Sequence, residues 1–286
     1  KDLLADAGIE APDVWTFENI YEIGKQITDP DKGVYGFALR GGTRGFNCYD
    51  RTLFSYLSDD VWVENESYRA FTKDGGCVYR LPEAKEALEF YKRVYEDISP
   101  KDSVSWGFTE MVQGFMSGTC AILIQDNDVI ATIEDGLDPE LWGVGNIPIG
   151  TSGFGTQTAG YGGWAMTAKT QYPEETAKFI KFLSNAENNG YFCRQNGLIP
   201  IHTTSIEQDE YFSSGAYTIF NKMNDLGCYR IFNNLGIGYD ITATFNNDRD
   251  EYLQKYLLGE VDADTLLDYW ASQWEKAVAD QGKLWE

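Results

Sequence analysis

The sequence predicts a mixed α/β fold, and three observations carry that reading. Short apolar runs of strand length alternate with longer stretches whose apolar residues recur at helical spacing. No segment repeats at a fixed period, so a solenoid or propeller is not indicated. A glycine-, serine- and threonine-rich stretch at 150–163 interrupts the pattern, as a linker between two bodies would.

The elements follow in order. Thr16 stands where an N-cap belongs, ahead of Phe17, Ile20, Gly24 and Ile27 on one helical face. Gly33 ends that helix, and YGFAL at 35–39 reads as a short buried strand. Gly41, Gly42 and Gly45 mark 40–49 as a loop. Pro82 opens the clearest helix, with Ala84, Ala87, Leu88, Tyr91, Val94 and Tyr95 on its apolar side. A shorter helix over 109–117 stops at Gly118 and feeds the strand TCAILI at 119–124, which runs into Gln125, Asp126, Asn127 and Asp128. GVGNIP at 143–148 and WAMTA at 164–168 read as strands. Helices are expected over 173–185 and 187–195, with Gly197 closing the second and 198–201 extended. The last third is helical: 246–258, then a helix capped by Asp262 with Leu266, Leu267, Trp270, Trp274 and Val278 inward.

Composition narrows the function. With 43% hydrophobic residues the chain can bury a core. Lys and Arg number 23 against 45 Asp and Glu, a net charge of −22, so the surface repels phosphate backbones and anionic lipids. No run approaches the roughly 18 apolar residues of a spanning helix. Cys48, Cys77, Cys120, Cys193 and Cys228 include no C-x-x-C pair, which disfavours structural zinc and a full disulfide framework. The 18 Tyr and 8 Trp suit a surface that is apolar and hydrogen-bonding at once, as a sugar cleft is, although a core uses such residues too.

Catalytic motifs are absent. His202 is the single histidine, so a two-histidine zinc helix is impossible and a Ser-His-Asp triad would hang on that residue. The glycine loops lack the P-loop lysine, and no G-x-G-x-x-G joins a strand to a helix. Two carboxylates suffice for a glycosidase, which keeps a carbohydrate-active enzyme as the alternative. Asp126 and Asp128 lie too close on one loop to flank a scissile bond.

Six segments, taken in order, resemble the maltodextrin-binding-like, sugar-type extracellular solute-binding proteins of ABC importers: KDLLADAGIEAPDVWTFENI, YGFALRGG, MVQGFMSGTCAILIQD, GVGNIPIG, GGWAMTA with PEETAKFIKFLSN through NGLIPIHTT, and YLLGEVDADTLLDYWASQWEKA. The resemblance implies a type II periplasmic-binding-protein-like two-lobe fold with most of the N-terminal lobe missing from this chain. Residues 1–160 and 212–286 would form the C-terminal α/β lobe, and 161–211 the return segment of the N-terminal lobe. It also implies hinge closure on a carbohydrate and delivery to ABC permease subunits, by a monomer with no cofactor, no metal, no catalytic residue and no nucleic-acid partner. The location implied is extracytoplasmic, either periplasmic or as a cell-surface lipoprotein. A sensor or adhesin module could share the fold.

Carried over by position, the ligand contacts fall in four places. Arg40, Arg44, Asn47 and Tyr49 occupy the glycine loop, which a plain surface loop would equally explain. Trp106 precedes the short helix and could instead be core. Gln125, Asp126 and Asp128 follow a buried strand. Tyr161 and Trp164 lie at the lobe crossing, with Tyr239 and Asp240 before the final helices. Acids stand where the maltodextrin type often has a Trp, which favours a smaller sugar, polyol or glycoside over a long maltodextrin.

Overall fold

The computed structural model describes residues 1–62, 70–158, 160, 162–232 and 242–282. In chain order the main elements are α1 (Asp2–Asp6), α2 (Phe17–Ile27), β1 (Tyr35–Phe37), α3 (Gly45–Tyr56), α4 (Pro82–Ile98), α5 (Phe108–Met116) and β2 (Cys120–Ile122). There follow α6 (Ile130–Gly136), β3 (Gly155–Thr158), α7 (Pro173–Leu183), α8 (Ala186–Gln195), α9 (Thr203–Gln208) and α10 (Thr218–Leu226). Then come β4 (Tyr229–Phe232), α11 (Thr242–Leu257) and α12 (Ala263–Gln281).

Two compact units result. The first comprises Lys1–Ile124, Ile147–Ala159 and Gly227–Glu286, and the second Gln125–Asn146 and Gly160–Leu226. The expected division at 160/161 and 211/212 differs from these units at two segments: 125–146 and 212–226 cluster with the second unit.

In the first unit the local signals work as the sequence implies. Thr16 Oγ1 accepts from the Asn19 amide at 3.1 Å while Asn19 Oδ1 accepts from the Thr16 amide at 2.9 Å, so two orphan donors at the start of α2 are satisfied reciprocally. α4 begins at Pro82 and buries Ala84, Ala87, Leu88, Phe90, Tyr91, Val94, Tyr95 and Ile98. Burying one Leu or Ile side chain contributes about 1.5–3 kcal/mol, so this face anchors the core. β1 and β2 pair in parallel, Tyr35 opposite Cys120 and Phe37 opposite Ile122. In the same unit α12 inserts Trp270, fully buried and edge-on to Phe46 with ring centroids 4.8 Å apart. Asp262 caps α12 by accepting from the Thr265 amide at 2.7 Å.

Four local expectations change. The glycine loop is shorter than its composition suggests, because α3 starts at Gly45. The stretch 150–163 is not a plain linker, since Gly155–Thr158 forms β3 and pairs in parallel with β4. Two of its glycines answer close approach: a Cβ on Gly150 would sit 2.0 Å from the Ser55 carbonyl oxygen, and one on Gly155 2.4 Å from the Tyr229 ring. Residues 143–148 form no strand, although Ile149 makes single bridges to Thr16 and Gly155. Residues 164–168 form none either, for a strand needs a neighbouring edge and the described residues of the second unit contain no strand.

The second unit is helical and thinly packed. Neither α7 nor its flank buries an apolar face: Phe179 is 58% exposed, Phe182 57%, Tyr191 69% and Ile201 70%. Soluble chains rarely leave so many large apolar side chains together in water.

Candidate functional site

Two loops of the first unit meet at the end of the β1–β2 pair. The β1 chain continues past its last strand residue, Ala38 donating to the Ile122 carbonyl at 2.9 Å, and then turns through 40–44. The second loop, 103–106, runs from the helical turn Lys101–Ser105 into Trp106 ahead of α5. Backbone bonds join them: Gly41 N–H donates to Ser103 O at 3.0 Å and Gly42 N–H to Trp106 O at 2.9 Å. That proximity requires glycine. A Cβ on Gly41 would lie 2.6 Å from Val104 Cα, and one on Gly42 2.4 Å from Ser105 O.

Further anchors come from distant elements. Tyr91 on α4 donates its hydroxyl to Arg40 O at 2.7 Å, and burial pushes that phenol well above its ordinary pKa, so it stays a neutral donor. From α11, the Asp250 carboxylate accepts from Arg44 N–H at 2.7 Å and from Phe46 N–H at 2.9 Å, while Gln254 Nε2 donates to Val104 O at 2.9 Å. Asp250, Gln254 and Tyr91 carry no local signal of this role. The two α11 residues read as ordinary helix polarity, and Tyr91 as core.

The structure places the expected contact residues unevenly. Arg40 is half-buried, its Nε donating to Thr43 O at 2.7 Å and its guanidinium 6.0 Å from the Phe108 ring. Arg44 is exposed with a left-handed backbone at φ 65°. Asn47 is half-buried, and its Oδ1 is sealed from solvent with no hydrogen-bond partner among the described residues. Tyr49 is corrected. It is 0% exposed, packs 5.2 Å from Trp270, and donates to Ala84 O at 3.0 Å, so its side chain belongs to the core and not to the loop surface. The helical start at Gly45 turns it inward. Trp106 is half-buried against Gly114, with Nε1 donating to Asp102 at 3.2 Å.

In the second unit, Gln125 is half-buried and Asp126 and Asp128 are exposed. Asp126 heads a helical turn over Asn127–Val129, and Asn127 Nδ2 donates to Gly197 O. Gly197, at φ +66°, permits this approach, since a Cβ there would meet Asn127 O at 2.7 Å. Trp164 is 51% exposed with its ring edge-on to Phe192 at 5.7 Å. The expectation that Asp126 and Trp164 come from opposite lobes meets the observation that both belong to this unit. Tyr161, Tyr239 and Asp240 lie outside the described residues.

A cavity of about 40 Å³ sits in the first unit beside Phe17, Phe37, Arg40, Arg51, Met111 and Ile124. It has room for a few water molecules and not for a sugar. No group of His, Cys, Asp and Glu able to hold a metal occurs among the described residues.

Comparison with known proteins adds the family. The sequence profile of the bacterial extracellular solute-binding proteins matches residues 1–218. A protein described as an ABC-transporter periplasmic-binding protein, YcjN of Escherichia coli (strain K12), is 26% identical over 192 residues, 66% of this chain and 40% of its own length. The mannitol-binding protein of Pseudomonas aeruginosa is 32% identical over 127 residues, 43% of this chain and 27% of its own. This chain thus spans less than half the length of these curated relatives. Among solved structures, maltose-bound MalE3 of T. maritima superposes with a TM-score of 0.76 at 19% identity, covering 96% of this chain and 68% of that one. That likeness is one of fold.

Proposed function

Because the chain belongs to the bacterial extracellular solute-binding proteins, we propose that it captures a small sugar, polyol or glycoside and hands it to the permease of an ABC importer outside the cytoplasmic membrane. The observation that carries this reading is the profile match across 1–218, which includes both loops of the first unit and the polar turn of the second. One of its relatives is a mannitol-binding protein and a structural neighbour was solved with maltose, which supports a sugar or polyol as the ligand class. A family of binding proteins leaves the glycosidase alternative without support. No described helix is long and apolar enough to cross a membrane. A periplasmic or lipid-anchored cell-surface location and a monomeric state complete the proposal.

The chemistry fits the loops. Guanidinium and carboxylate groups hydrogen-bond hydroxyls, and an indole stacks on the apolar face of a sugar ring. Arg40, Arg44 and Trp106 offer such groups in the first unit; Gln125, Asp126, Asp128 and Trp164 offer them in the second. The first unit corresponds to the C-terminal lobe and the second to the portion shared with the other lobe. The exposed Phe179, Phe182 and Ile201 are then the face that lobe covers. Closure on a ligand touching both lobes would follow, since binding energy shifts the open–closed equilibrium only through contacts that differ between the two states.

Calorimetry tests this on the protein at its natural length, with maltose and D-mannitol as probes. Asp126→Ala and Trp164→Ala should each weaken binding by about 1–3 kcal/mol. Wild-type affinity in both variants would place the cleft elsewhere.

A further inference from the structure

We propose that Asp250 and Gln254 of α11 are positioning residues that set the geometry of both ligand loops of the first unit without touching the ligand; this rests on the solute-binding reading above. They lie four residues apart and so share one face of the helix. From that face Asp250 holds the 40–46 loop and Gln254 holds the 103–106 loop.

The two grips differ in chemistry. Asp250 takes the amides of Arg44 and Phe46, two donors that the start of α3 leaves without intrahelical partners. Its negative charge also sits at the positive end of the α3 dipole, where a carboxylate is stabilised. The residue at the head of α3 is Arg44, which is a poor N-cap and has a left-handed backbone. A local Ser, Thr or Asp would ordinarily supply the capping oxygen. Here a carboxylate 206 positions away in sequence supplies it, so α3 and the loop before it take their position from α11. Gln254 makes the matching bond to the second loop, and the glycine contacts between loops close the triangle: Gly41 to Ser103 and Gly42 to Trp106. Arg40 and Arg44 lie on one side of this triangle and Trp106 on the other. Their mutual placement is therefore set by α11 together with the glycines of the loops. A site held this way is preorganised, and loosening it costs affinity through added conformational freedom.

The test combines hydrogen–deuterium exchange with calorimetry on the protein at its natural length, using maltose and D-mannitol as probes. Asp250→Ala should speed exchange of the 44–46 amides by roughly tenfold or more and leave α12 protected, because local opening follows lost local bonds. Gln254→Ala should act on the 103–106 segment. Both should weaken binding of whichever probe the wild type takes, by roughly tenfold for Asp250→Ala. Asp250→Asn keeps one accepting oxygen and should restore part of both losses, which a general packing defect would not do. Unchanged exchange in these segments overturns the clamp. Faster exchange with wild-type affinity overturns the positioning role. A wild-type protein that binds no member of a wider sugar and polyol panel counts against the solute-binding reading instead, and the exchange result still decides the clamp.

Discussion

Gly42→Ala should loosen the ligand loops by a purely steric route. Gly42 does not have a positive φ, so alanine can adopt its backbone conformation without strain. In open surroundings the change would stabilise the chain by about 0.4–1 kcal/mol through the unfolded state. Here the new Cβ would arrive 2.4 Å from Ser105 O and 2.9 Å from Trp106 O. Both are backbone atoms and cannot rotate away. The Cβ must retreat by about 1 Å to reach ordinary contact, which pulls Gly42 N–H from its 2.9 Å bond to Trp106 O. Overpacking of this kind costs about 1–3 kcal/mol. The lost hydrogen bond adds about 0.5–1.5 kcal/mol. After the entropic gain is set against them, a net loss of about 0.5–4 kcal/mol remains. Urea denaturation reads that loss directly, and calorimetry with a bound sugar should show weaker affinity, since Arg40 and Trp106 separate. Gly162→Ala is the control, because among the described residues no atom beyond its chain neighbours lies within 4 Å of an added Cβ. Gly42→Ala with wild-type stability and affinity would refute the account of how these loops are held.

Other consequences are equally concrete. Trp270→Ala empties a site that is 0% exposed and ringed by Phe46, Tyr49 and Tyr79, and should cost about 3–5 kcal/mol in denaturant melts; a loss below about 1 kcal/mol would mean the core repacks. The Glu275 carboxylate takes both Nε and a terminal nitrogen of Arg80 at 2.9 Å, which lowers its pKa. Its folded pKa lies below the unfolded value of about 4.3, so the bridge stabilises above that pH and the contribution fades as pH falls through the folded pKa. Wild type and Glu275→Gln should thus differ at neutral pH and converge under acid, as thermal melts across pH would reveal. Phe179→Ser with Phe182→Ser should reduce binding of a hydrophobic dye by this chain without lowering the stability of the first unit, and unchanged dye binding would show that other surface captures it.

Much of the first unit could be read locally. Thr16 and Asp262 mark helix starts through bonds to residues three positions on, Pro82 marks one as a first-turn proline, and the apolar spacing of α4 and α12 fixes which faces turn inward. The resemblance to sugar-binding proteins was likewise legible, because it rests on segments in chain order. Tyr49 was misjudged because its loop turns helical at Gly45, and the carboxylate that allows this stands on α11.

The sequence by itself determined the mixed α/β class, the main helices of the first unit, the acidic composition and the family, since each depends on residue type and short-range spacing. Only the tertiary structure decided what the glycines at 41, 42, 150 and 155 accommodate, which polar side chains hold the loops, and where Tyr49 points. Those outcomes depend on which atoms arrive from far along the chain. A glycine states that space is needed, and a carboxylate that donors are wanted; neither names its partner. The partners meet only when α11 packs beside α3 and the two loops close on each other.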